Sequence, residues 1–129
     1  MNFEVQLLKK SILIVDDDEA LSESIKEVLA SRGFQNIHVA YSISEGINVF
    51  SVSHIDLIIL DVMLPDGEGY LLSEYVRESS DVPILFLTAK NNPDDEIRGL
   101  DSGGDDYVTK PFLPKSLTYR IIALLRRAY

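Results

Sequence analysis

Short apolar runs alternate along the chain with longer stretches in which apolar positions recur at helical spacing. Residues 11–15, 37–40, 55–60, 83–87 and 107–109 are the strand candidates. The central ones are unbroken runs of Ile, Leu and Val, which suits strands covered on both faces, as in a parallel sheet. Between them lie helices. Residues 19–32 carry Leu21, Ile25, Val28 and Leu29 on one stripe, with Gly33 as a stop signal. Residues 42–50 open with Ser42 and Glu45 at capping-box spacing. A third helix covers about 67–79, with Leu71, Leu72, Tyr75 and Val76 facing inward. The fourth starts at Asn92 and Pro93, with Asp94, Asp95 and Glu96 near the positive end of its dipole. The fifth runs from about 114 to the end, with Leu117, Ile121, Leu124 and Leu125 at helical spacing.

This is (βα) five times over, so the expected fold is α/β: a doubly wound, five-stranded parallel sheet with right-handed crossovers. Residues 1–10 precede the rhythm as an N-terminal extension, and 11–129 form the domain. Phe3, Val5 and Leu7 alternate with polar residues, which admits a short extra strand; a frayed tail and a packed extension are equally open.

Composition narrows the classes. The chain has 129 residues, 46% of them hydrophobic, which suits one domain with a real core and excludes a disordered chain. Zero Cys removes disulfides, thiolate metal sites and Cys nucleophiles. With 21 acidic residues against 12 basic ones, the net charge is −9, which argues against this segment wrapping nucleic acid. The longest apolar runs fall far short of the ~20 residues a membrane span needs, and no export signal is visible. A soluble protein of the cytoplasm is expected.

Doubly wound sheets bind ligands beyond the carboxyl ends of their strands. The polar residues there are Asp16, Asp17 and Asp18 after the first strand, Asp61 after the third, Thr88 after the fourth and Lys110 after the fifth. Clustered carboxylates repel one another, which raises a pKa or recruits a cation. Oxygen ligands without His or Cys favour Mg²⁺. A cation, an ammonium and a hydroxyl around one carboxylate are the parts needed for phosphoryl transfer to an Asp nucleophile.

Four segments now resemble one family, the receiver domains of two-component response regulators. They are Ile12-Leu13-Ile14-Val15-Asp16-Asp17-Asp18-Glu19, Asp61-Val62-Met63-Leu64-Pro65-Asp66-Gly67-Glu68-Gly69, Leu87-Thr88-Ala89 and Asp105-Asp106-Tyr107-Val108-Thr109-Lys110-Pro111-Phe112. The resemblance covers about 11–128. It implies the flavodoxin-like fold of CheY, strand order 2-1-3-4-5, and a phosphoacceptor at Asp61 supplied by a sensor histidine kinase. It further implies Mg²⁺ held by Asp16, Asp17, Asp61 and the backbone carbonyl of Met63. Thr88 would bond the phosphoryl group, Lys110 would pair with one of its oxygens, and Tyr107 would move inward as Thr88 shifts. Lys110–Pro111 is usually cis in the family. The protein would thus be a switch and not an enzyme acting on other substrates.

Asp105, Asp106, Arg120 and the ending Leu125-Arg126-Arg127 resemble the subfamily that precedes a winged-helix DNA-binding domain, the OmpR/PhoB type. Its receivers dimerise through the fourth helix, fifth strand and fifth helix. Ser116 departs from the pattern, where Glu is usual, so one interchain ion pair is expected to be missing. DNA would be bound only by an effector domain outside this chain; a stand-alone phosphorelay regulator is the alternative.

Other readings fare worse. Asp phosphatases on similar sheets need an acid two residues after the nucleophile, where this chain has Met63. A flavodoxin phosphate loop would be repelled by Asp16 to Asp18. Asp18 and Glu19 read as first-turn acids, Asp66-Gly67 as a turn, and His38 and His54 as surface residues without a second ligand nearby. The segment Asp101 to Asp106 lacks the spacing of a calcium loop.

Overall fold

The computed structural model describes residues 3–129. In chain order the elements are α1 (Phe3–Leu7), β1 (Ser11–Val15), α2 (Glu19–Arg32), β2 (Asn36–Ala40), α3 (Ile43–Val52), β3 (Leu57–Leu60), β4 (Met63–Leu64), β5 (Gly67–Glu68), α4 (Tyr70–Arg77), β6 (Ile84–Thr88), α5 (Pro93–Asp101), β7 (Asp106–Thr109) and α6 (Pro114–Ala128). The main sheet has the order β2-β1-β3-β6-β7 and every pairing in it is parallel. This is the expected topology, the five long strands taking the order 2-1-3-4-5. The unbroken apolar runs are buried throughout in β1 after Ser11, in β3 and in β6, as strands roofed on both sides must be.

Two apolar layers sandwich the sheet. Ile12, Ile14, Leu57, Ile59, Leu85 and Leu87 point to the side covered by α1, α2 and α6. Leu13, Val15, Ile58, Leu60, Ile84 and Phe86 point to the side covered by α3 and α4. Caps fix where the helices begin. Asp18 accepts the Leu21 N–H, Ser42 accepts the Glu45 N–H, and Asn92 accepts the Asp94 N–H. Gly33, at φ 117°, ends α2 in the left-handed region that glycine tolerates.

One expectation needs correction. The third predicted helix is shorter, and its inward residues are Tyr70, Leu72, Ser73 and Val76. Leu71 and Tyr75 are 56% and 39% exposed. Tyr70, one position earlier than the expected stripe, is the residue that enters the core, and the stripe turns with it. The segment before it forms a tight hairpin in which Met63 pairs with Glu68 and Leu64 with Gly67. Asp66 sits in its turn, but its carboxylate also reaches across to accept the Ile43 and Ser44 N–H groups at the start of α3.

The N-terminal segment is a helix, not a strand, and it packs. Leu7 is buried in the core, Arg32 pairs with Glu4, and the Leu8 side chain lies where a Cβ on Gly33 would stand 2.9 Å away. Met1 and Asn2 lie outside the described residues.

Candidate functional site

Asp16 and Asp61 follow two central, adjacent strands, β1 and β3, so their side chains leave the sheet at the same rim. The backbone there is pinned: Asp16 N–H donates to Ala40 and Asp61 N–H to Val15. Both residues are nearly buried, 3% and 4% exposed, whereas Asp17 is exposed. One carboxylate oxygen from each of Asp16, Asp17 and Asp61 lies within 4.8 Å of the others.

Lys110 reaches in from the segment after β7. Its Nζ donates to Asp16 Oδ2 at 2.9 Å and to Asp61 Oδ2 at 3.0 Å. Its backbone N–H is held by the Thr88 carbonyl at 2.8 Å, and the bond to Pro111 is cis. Burial acts to lower the ammonium pKa, but the bonds to Asp16 and Asp61 and their negative charge outweigh it, so the pKa is raised. Burial pushes the Asp16 carboxyl up, aided by the charge of Asp61 and opposed by Lys110 and the Asp18 N–H. The pocket is an all-oxygen donor set whose three acids face one ammonium, a composition compatible with a hard divalent cation.

Asp61 Oδ1 accepts the Met63 N–H at 3.2 Å, which ties the hairpin to the carboxylate. Thr88 is fully buried at the end of β6 and its Oγ1 accepts the Lys90 N–H at 3.3 Å. The Lys90 carbonyl in turn accepts the Tyr107 hydroxyl at 2.8 Å. Tyr107 is partly buried, its ring 5.9 Å from that of Phe86. Burial, followed by the neighbouring Tyr70 hydroxyl, pushes the Tyr107 phenol well above its usual range.

The structure therefore brings Asp16, Asp17, Asp61 and Lys110 together, with Thr88 and Tyr107 joined through Lys90. Three contributors were not foreseen. Gly69 approaches the Asp61 carbonyl so closely that a Cβ would lie 2.1 Å from it. Tyr70 lies beneath α5, its hydroxyl donating to the Asp95 carbonyl at 3.2 Å. Arg77 donates to Gly103, Ser80 and Val82 carbonyls and to Asp105. Only for Tyr70 did the sequence hold a signal, a large aromatic at the start of an amphipathic stretch. Of the charges assigned to a dimer face, Asp105 is bonded to Arg77 and the Ile84 N–H, and Asp106 to Arg120 of the same chain. His38 lies on edge strand β2, and exposed His54 bonds Asp56 at 2.7 Å.

Residues 12–122 match the family model described as response regulator receiver domain. The chain is 47% identical over 119 residues to the transcriptional regulatory protein YvrH of Bacillus subtilis, covering 92% of this chain and 50% of that protein. It is 39% identical over 123 residues to the phosphate regulon transcriptional regulatory protein PhoB of Escherichia coli, covering 93% and 53%. The chain thus spans about half the length of these curated relatives. A two-component response regulator from Clostridium difficile superposes with TM-score 0.89 at 34% identity, over 93% of this chain and 98% of that one. The non-phosphorylated HemR receiver domain from Leptospira biflexa gives 0.83 at 37%, over 91% and 94%. No helix among the described residues is long and apolar enough to cross a membrane. On these grounds the chain belongs to the receiver-domain family of response regulators, and its curated relatives are transcriptional regulators of the OmpR/PhoB type.

Proposed function

We propose that this receiver takes a phosphoryl group onto Asp61 from the phosphohistidine of a sensor histidine kinase in the cytoplasm. An Asp61 carboxylate oxygen attacks phosphorus, the P–N bond breaks, and the histidine nitrogen leaves with its electron pair and takes up a proton. The observation that carries the reading is Lys110 Nζ bonded at once to Asp16 and Asp61 at the rim of the parallel sheet. A single ammonium so placed neutralises the acceptor before reaction and is in reach of a phosphoryl oxygen afterwards.

Asp16, Asp17 and Asp61, with the Met63 carbonyl, are the groups that would hold Mg²⁺, which when bound supplies positive charge to the phosphoryl oxygens. Thr88 ends β6, the strand paired with β3, which leads into Asp61. When the Thr88 hydroxyl turns toward the phosphoryl group, its bond from Lys90 N–H is given up, and the Lys90–Tyr107 contact carries the change to the surface. Half-exposed Met63, which follows Asp61 closely in sequence, and Lys90, which follows Thr88, would shield the acyl phosphate from water, giving slow self-hydrolysis suited to transcription. Turnover of the phosphorylated protein within seconds contradicts this part.

Residues 11–129 serve as the receiver and 1–10 as an N-terminal extension, whose helix α1 packs on it through Leu7. The output is transcriptional, through a DNA-binding domain in the whole protein, as the names of the curated relatives suggest. Pairing would use α5, β7 and α6. There the Arg120–Asp106 pair must be shared with or exchanged for a partner's groups, and exposed Ser116 offers no carboxylate. Sedimentation with and without beryllofluoride tests the pairing; an unchanged monomer refutes it.

The deciding experiment for the chemistry is Mg²⁺-dependent labelling by acetyl phosphate. Labelling should be abolished in Asp61→Ala, and persistent labelling of that variant overturns the assignment.

A further inference from the structure

α5 is seated in an unusual way. Gly99 is its only buried residue, while Ile97 and Leu100 are 63% and 43% exposed. Apolar burial therefore contributes little to holding it. What holds it is a close approach and a few polar ties. Gly99 lets the helix settle onto Tyr107 and Phe86, where a Cβ would stand 2.9 Å and 3.2 Å from their rings. The Tyr70 hydroxyl donates to the Asp95 carbonyl in the first turn. Arg98, one turn along from Asp95, lays its guanidinium over the Tyr70 ring at 4.5 Å and bonds Glu68 at 3.1 Å.

Glu68 connects this helix to the acidic pocket. It lies on β5, opposite Met63 on β4. Met63 N–H donates to Asp61 Oδ1, and the hairpin is closed by Gly69 N–H bonded to the Val62 carbonyl at 2.7 Å. From the carboxylate to α5 the route is thus Asp61, Met63, Glu68, Arg98, and it shares no residue with the route through Thr88, Lys90 and Tyr107.

We propose that Arg98 is a positioning residue that clamps α5 to the β4–β5 hairpin, giving the Asp61 pocket a second connection to the α5 surface. The proposal deepens the phosphoacceptor reading and rests on it for the stimulus, though not for the clamp itself. An exposed ion pair alone would be a weak clamp. The stack on buried Tyr70 adds to it and fixes the guanidinium plane, which a lysine at the same position would not do. Two connections from one site bias the same movable helix, and what one site does to α5 must be returned as an effect of α5 on that site.

The test is amide hydrogen exchange on the full chain, comparing wild type, Arg98→Ala, Arg98→Lys, Tyr107→Phe and the Arg98→Ala/Tyr107→Phe double variant. Without any ligand, Arg98→Ala should speed exchange about fivefold at 97–101 and at 67–68 together, with Arg98→Lys in between. With Mg²⁺ and beryllofluoride, each single variant should keep part of the wild-type change in α5, and the double variant should lose it. Wild-type exchange at both segments in ligand-free Arg98→Ala overturns the clamp. Faster exchange with a full beryllofluoride response in the double variant makes Arg98 merely structural and overturns the coupling. If wild type shows no beryllofluoride effect even at Met63, the phosphoacceptor reading and the coupling fall with it. The ligand-free arm then still decides the clamp.

Discussion

Gly69→Ala should cost both stability and phosphorylation, and for a steric reason that can be worked out. Gly69 has φ −58° and ψ −19°, an ordinary right-handed conformation, so no backbone freedom is being used there. The constraint is space. A Cβ would stand 2.1 Å from the Asp61 carbonyl oxygen, 3.1 Å from its carbon and 3.2 Å from Leu60 Cδ1. A methyl does not sit within 3.0 Å of such an atom, so the two backbones have to part by roughly 1 Å. The Asp61 side is fixed in the sheet by its N–H bond to Val15. The hairpin is the part that yields, at the expense of the Gly69–Val62 hydrogen bond.

Overpacking of this kind costs about 1–3 kcal/mol, and the strained hydrogen bond adds about 1 kcal/mol. A domain stable by about 5–15 kcal/mol remains folded, with its melting point lower by roughly 5–15 °C. Displacing groups around a reacting carboxylate by such a distance lowers a rate by about 100-fold. Urea unfolding and acetyl phosphate labelling measure the two effects on one sample. Gly46→Ala is the control: its Cβ would meet a terminal methyl of Leu72 at 2.9 Å and Val15 Cγ2 at 3.3 Å, inside α3. There a helix-propensity gain of up to about 1 kcal/mol offsets repacking, and labelling should be unchanged. A Gly69→Ala protein as stable as wild type and labelled at the same rate refutes the reasoning.

Lys110→Met should cut acetyl phosphate labelling at least about 100-fold without weakening Mg²⁺ in calorimetric titration, because the ammonium competes for the same oxygens; a parallel loss of both argues against that division of roles. Asp66→Ala removes two acceptors at the start of α3 and should cost about 1 kcal/mol in urea at neutral pH. The bonds from the Ile43 and Ser44 N–H groups hold the Asp66 carboxyl below its reference value of 3.8, so its contribution is present above that value and lost as pH falls through the folded pKa. The Asp66→Ala penalty should therefore vanish in acid. Tyr70, Tyr107 and Tyr129 are all raised above 10.0, chiefly by burial. The native state keeps their protons longer than the unfolded chain does, so stability falls as pH rises past about 10, and tyrosinate absorbance should lag in the folded protein; simple titration of all three at the ordinary phenol value excludes this.

How far the sequence reached depends on how each feature is encoded. β1, β3 and β6 were legible because burial on both faces demands unbroken apolar runs, and the candidate site followed because its acids stand immediately after β1 and β3 and Lys110 immediately after β7. The helix Phe3–Leu7 was not legible, since five residues barely exceed one helical period and Phe3, Val5 and Leu7 alternate like a strand. Packing decides it, through Leu7 in the core and Leu8 against Gly33. The β4–β5 hairpin has strands of two residues, below any pattern, and is held by backbone pairing around Pro65 and Asp66. Tyr70, Gly69 and Arg77 act on groups that the fold brings near: Asp95 and Gly103 lie 25 and 26 residues from Tyr70 and Arg77. No local periodicity records such a contact.

The burial pattern also bears on why a charge at Asp61 should be felt on one side of the molecule. Asp16 and Asp61 end strands whose apolar side chains are packed on both faces, and α2 and α6 are anchored there by Ile25, Leu29, Leu117, Ile121 and Leu125. That half has many apolar contacts to lose and no cheap alternative packing. Beyond β6 the picture changes: β7 is only partly buried, and α5 rests on one glycine, the Tyr70 hydroxyl and an exposed arginine. Segments with few buried apolar contacts open at low free energy. Thr88 and Lys110 stand on the border between the two halves. A new charge there meets a rigid wall toward β1 and a yielding one toward α5, so the displacement goes where the restoring force is smallest. On the proposed phosphorylation of Asp61, unequal packing around the pocket would direct the output toward α5 before any residue is assigned the role of a switch.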